Sequence, residues 1–171
     1  MIRIISIITG LLFELAGALQ PSILSKLSAR SSLTNFTTLL SSHPTLIQVI
    51  ENGNVTVVAP TNQAFLRFYT SQGSGADLVS WDWMEAILSY HLIRGVHTRG
   101  FVTKEAQYLH TCLANSLYTN VSHGQIIETV LDDNRPVFRG AVNSEARHAA
   151  GESDILLLTG VVHVVDNVLV C

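Results

Sequence analysis

The chain has 171 residues and a formal net charge of −3 at neutral pH, with no run of like charge. That length suits one folded domain, and the charge balance excludes the basic face on which nucleic-acid binding depends. Charged residues make up 13% of the chain, well below the roughly 25% of ordinary soluble domains, so something besides ionised side chains has to keep the surface wet.

Met1-Ile2-Arg3 supplies one positive charge and residues 4–15 an apolar run too short to span a bilayer. Small residues follow at Ala16-Gly17-Ala18. Residues 1–18 therefore read as a secretory signal cleaved before Leu19, with 19–171 as one domain and no membrane span after cleavage.

Between Ser22 and Glu51 the apolar side chains Ile23, Leu24 and Leu27, then Leu33, Phe36, Leu39 and Leu40, then Leu46, Val49 and Ile50 recur at helical intervals, which predicts two or three short helices. Ser22 is placed to cap the first, His43-Pro44 interrupts the run, and Asn52-Gly53 turns the chain. Residues 55–59 are β-branched and brief, a buried strand stopped by Pro60. Thr61 or Asn62 can cap a helix carrying Ala64, Phe65, Leu66 and Phe68, and the Ser/Gly-rich residues 71–76 form a loop. Ser80 caps the next helix, whose face of Trp83, Met84, Ile87, Leu88 and His91 ends before Gly95.

From Val96 onward strands and turns are expected: strands over residues 116–122, 125–131 and 137–139, a hairpin turn at Asp132-Asp133-Asn134, and a strand or strand pair within 155–170 bent at Gly160. The apolar tail is read as β-structure rather than as a lipid-anchor signal. Only Glu152-Ser153-Asp154 separates the small residues 149–151 from it, where such signals need a spacer of roughly 8–12 residues.

Three Asn-x-Ser/Thr sequons, at Asn35, Asn54 and Asn120, fit the secretory route, and glycans there would solubilise a charge-poor surface. The two cysteines, Cys112 and Cys171, either form one internal disulfide, worth about 4 kcal/mol in the chain-entropy model, or remain unpaired, or bridge two chains. His163 and Asp166 fall on opposite faces of a strand, which disfavours a His–Asp dyad. His110 and Cys112 can share a face, yet no further ligand or base accompanies them. No metal, cofactor or catalytic set is expected. Trp81, Trp83, Phe65 and Phe68 are read as core residues.

Three segments read together resemble the fasciclin (FAS1) domain: 56–65 (TVVAPTNQAF), Leu88-Ser89-Tyr90-His91, and 160–169 (GVVHVVDNVL). Residues 113–121 are similar to stretches of fungal secreted fasciclin-like proteins; Arg94 departs from the proline common before Gly95. The resemblance implies an α+β fold, a β-wedge of six to seven strands with N-terminal helices packed against it. It implies structural roles for Thr61, Asn62, Phe65, Tyr90, His91, Gly160, His163 and Asp166, with His91 and His163 making buried hydrogen bonds between helix and sheet. By the same resemblance Asp154-Ile155 is a candidate adhesion contact. The implied function is a secreted or cell-surface module, not an enzyme, that binds extracellular protein or polysaccharide or associates with itself. The alternative is a secreted small-ligand or lipid-binding protein in which loop 71–76 gates an apolar pocket beside Phe68.

Overall fold

A computed structural model describes residues 22–71, 80–114 and 123–171. The signal segment, most of loop 71–76, the expected strand 116–122 and the sequon at Asn120 lie outside them.

The N-terminal third is helical: α1 (Ile23–Ser28), a 3-10 turn (Ser31–Leu33), α2 (Thr34–Ser41) and α3 (Pro44–Asn52). The Ser22 hydroxyl accepts from the Ser25 N–H at 3.2 Å, satisfying a free donor of the first turn. Pro44 opens α3, where a missing N–H costs nothing. The helices bury one face each, through Ile23, Leu27, Phe36, Leu40, Leu46 and Ile50.

Strand β1 (Val55–Pro60) leads into α4 (Asn62–Ser71), and α5 (Trp81–Tyr90) into β2 (Leu92–Arg94). The remaining strands are β3 (Gln107–His110), β4 (Ile126–Asp132), β5 (Arg135–Arg139), β6 (Glu145–Arg147), β7 (Ile155–Leu156) and β8 (Gly160–Val165). They form two four-stranded sheets, in the orders β2-β1-β8-β7 and β3-β4-β5-β6. The only parallel pair among them is β1 with β8, in register from Val55 opposite Gly160 to Pro60 opposite Val165.

Both β1 and β8 are buried at every position, as near-continuous apolar strands covered on two faces are. Val57, Ala59, Val162 and Val164 face the helices; Val58 and Val165 face Ile127, Phe138 and Ala146 of the second sheet. The molecule is thus a helical layer and two sheets, with one core on each side of the β1–β8 pair. Gly160 is required by close approach: a Cβ there would lie 2.2 Å from the Val55 carbonyl oxygen. The β4–β5 hairpin turns through Asp133 and Asn134, both at positive φ (46° and 58°), the pattern of a type I′ turn.

The α+β architecture follows the sequence reading, with three corrections. The described residues hold eight strands, because the three-residue β2 and β6 and the four-residue β3 pair as edges that periodicity does not flag. Helix α5 stops at Tyr90, and residues 92–94 turn back as an edge strand on β1. Trp81 is 57% exposed rather than core, its ring stacked on buried His43 at 4.1 Å. Of the alternatives open for the two cysteines, the structure has the unpaired one: Cys112 packs against the helix-side core and Cys171 against the inter-sheet core. Burial raises both thiols above their ordinary range, which keeps them protonated and poorly nucleophilic.

Candidate functional site

The family-like segments meet at the β1–β8 pair. The Val58 N–H donates to the His91 carbonyl at 2.9 Å, and the Thr61 N–H to the Val165 carbonyl at 3.0 Å. His91 follows α5, and its Nδ1 donates to the Ile87 carbonyl at 2.8 Å while its Nε2 accepts from the Leu169 N–H at 3.0 Å. Both bonds use the neutral ring with its proton on Nδ1. Burial pushes the His91 pKa down to about 4, against the opposing pull of the Ile87 carbonyl.

The other motif residues serve as local fasteners. Thr61 Oγ1 caps α4 by accepting from the Ala64 N–H at 3.2 Å. Asn62 ties α4 to the preceding helices, its Oδ1 accepting from the Asn35 N–H and its Nδ2 donating to the Ser31 carbonyl. Phe65 is buried in the helix-side core. The Tyr90 hydroxyl donates to the Ile126 carbonyl and accepts from the Ala141 N–H. Asp166 Oδ1 accepts from the Arg147 N–H at 2.8 Å, joining the end of β8 to β6.

One constellation escaped the sequence reading. Asp154 precedes β7, His163 lies in β8 and His148 follows β6; the β7–β8 hairpin and a bridge between His148 and Val165 bring the three together. Asp154 Oδ1 faces His148 Nε2 at 3.1 Å and His163 Nδ1 at 2.9 Å. Asp154 Oδ2 accepts from the Arg99 N–H at 3.2 Å, and His163 Nε2 donates to the His97 carbonyl at 2.7 Å. The His163 and His148 side chains are 0% and 2% exposed, that of Asp154 17%. Burial raises the Asp154 carboxyl, but the hydrogen bonds from His148 and His163, the charge of His163 and the Arg99 N–H outweigh it and hold it well below the usual carboxylate range. The network continues into β1, where buried Thr56 donates to the Gly95 carbonyl and accepts from the His97 N–H. The three residues lie on separate segments, so only the hairpin register and the His148–Val165 bridge reveal the cluster.

At the candidate adhesion pair, Ile155 is 9% exposed and belongs to the helix-side core, and both Asp154 oxygens are engaged in hydrogen bonds within the fold. Asn35 on α2 and Asn54 before β1 are exposed. The cleft beside Phe68, about 540 Å³, is lined by Arg67, Glu145, Arg147 and Asp166 as well as Phe68, Val168 and Val170; its lining mixes charged and apolar groups. A second open groove of about 580 Å³ lies between Arg94, His97, Tyr108, His110 and His123. Among the described residues no helix is long and apolar enough to cross a membrane.

Residues 31–171 match the family model of the fasciclin domain, and the chain belongs to that family. It is similar to a fasciclin-like arabinogalactan protein of Arthroderma benhamiae, 31% identical over 147 residues, which cover 84% of this chain and 34% of that protein. A second relative, fasciclin-like arabinogalactan protein elcF of Phaeosphaeria nodorum, is 29% identical across 60% of this chain and 36% of its own length. The chain thus spans about a third of the length of these relatives. Its fold resembles the FAS1 domain pair of the insect cell adhesion molecule Fasciclin I, with a TM-score of 0.61 over 81% of this chain and 45% of that one, at 19% identity.

Proposed function

We propose that the chain is a secreted or cell-surface FAS1 module that adheres to cell wall or extracellular matrix, and that it acts by binding rather than by catalysis. The observation that carries this reading is the family match across residues 31–171. The similarity to fasciclin-like arabinogalactan proteins supports it, as do the sequons at exposed Asn35 and Asn54. The chemistry agrees: both thiols are held protonated, and the polar atoms of the His–Asp cluster bond to one another and to backbone groups. The Tyr108 groove supports a polysaccharide or protein partner, since it offers an exposed aromatic ring beside polar ring nitrogens and a guanidinium.

Purified glycosylated chain, passed over immobilised wall polysaccharide and surface-protein fractions, should be retained by at least one of them. Tyr108→Ala should weaken that retention by about 1–2 kcal/mol if the groove is the contact. Elution of the wild type in the void volume from every fraction contradicts the adhesion reading. The charged groups that share the cleft beside Phe68 with apolar ones favour adhesion over the lipid-carrier alternative.

A further inference from the structure

We propose that His148 Nε2, Asp154 Oδ1 and His163 Nδ1 form a site for a divalent transition metal of the zinc class. The three atoms lie within 4.8 Å of one another. The two contacts to Asp154 Oδ1, at 3.1 and 2.9 Å, are a few tenths of an ångström shorter than the roughly 3.4 Å between ligand atoms of a tetrahedral zinc with metal–ligand bonds near 2.1 Å. Opening those two edges by that amount brings them to zinc spacing.

The ring contacts are compatible with an ion: His163 Nε2 keeps its proton on the His97 carbonyl at 2.7 Å, and the two nitrogens that face Asp154 Oδ1 become ligands.

The outer contacts are also those a metal site uses. A ligating histidine ordinarily donates its other N–H to a backbone carbonyl, and a ligating carboxylate is itself hydrogen-bonded; His163 Nε2 to His97 and the Arg99 N–H to Asp154 Oδ2 supply both. Two histidines and a carboxylate are a borderline nitrogen–oxygen set that suits zinc or cobalt better than calcium or magnesium. Three protein ligands leave a fourth position for water or an incoming group.

The test uses the purified full chain, stripped with chelator and titrated with Zn²⁺ by calorimetry and with Co²⁺ by visible absorption. The expected result is uptake of a single equivalent, a rise in melting temperature, and the intense visible bands of low-coordinate Co²⁺. His148→Gln and Asp154→Asn should each weaken binding at least about 100-fold, whereas His110→Gln in the separate surface groove should leave it unchanged. Absence of Co²⁺ bands and of a thermal shift in the wild type overturns the proposal. So does uptake that survives His148→Gln and Asp154→Asn but is lost in His110→Gln. If the cluster variants fail to fold, the wild-type Co²⁺ spectrum still decides.

Discussion

His91 carries a pH dependence whose direction follows from its environment. In the unfolded chain its ring takes up a proton below about pH 6.5; in the fold, burial holds the pKa down to about 4. Between those values the unfolded state binds more protons, so stability falls as pH falls, by about 3 kcal/mol in all. Above pH 6.5 this contribution is constant. Urea unfolding at about pH 7 and pH 4.5 should show the loss in the wild type, and His91→Gln, though less stable at neutral pH, should show a flatter slope. Equal slopes would remove His91 as the cause. Gly160→Ala places a methyl group 2.2 Å from the Val55 carbonyl oxygen, so it should cost about 2–4 kcal/mol by prising β8 from β1. The sequence marked Gly160 as a bend. Its actual role, close packing at the start of β8, depends on a strand 105 residues away in the chain, and no local signal reports it.

At the scale of the element, Phe138 of β5 fills the space between the sheets, its ring centroid 5.4 Å from that of His163. Phe138→Ala should therefore cost about 3–5 kcal/mol, read as a lowered urea midpoint. The β4–β5 turn offers the opposite prediction. Asp133 and Asn134 both sit at positive φ, so Asn134→Gly should raise stability by up to about 1 kcal/mol in thermal melts. The hairpin and the helices were legible because their signals are local: Ser22 and Ser80 cap α1 and α5 where the sequence placed them, and Pro44 opens α3. Strands β2 and β6 were not, because three residues hold too little pattern to separate from loop. In β3 half-buried and exposed positions alternate, a contrast that reflects its pairing with β4 more than its own composition. Trp81 was misjudged because an aromatic ring beside a helical apolar face looks the same whether it enters the core or lies over His43.

Across the described residues, β1 from the N-terminal half and β8 from the C-terminal end form the central pair, and the segments 56–65, 88–91 and 160–169 lie on or are bonded to them. The family and its α+β fold were thus legible, since conspicuous motifs lie on those two strands. The His148–Asp154–His163 cluster was not, because it arises from the register of β7 on β8 and the bridge from His148 to Val165. The proposed role requires this fold to work outside the cell, at a surface. Fractionation of cells expressing the chain with a C-terminal tag tests it most directly. The expected outcome is a glycosylated product lacking residues 1–18 that stays with the wall or surface fraction until stripped. Recovery in the cytosol with those residues attached, or solely as freely diffusing monomer in the medium, would contradict it.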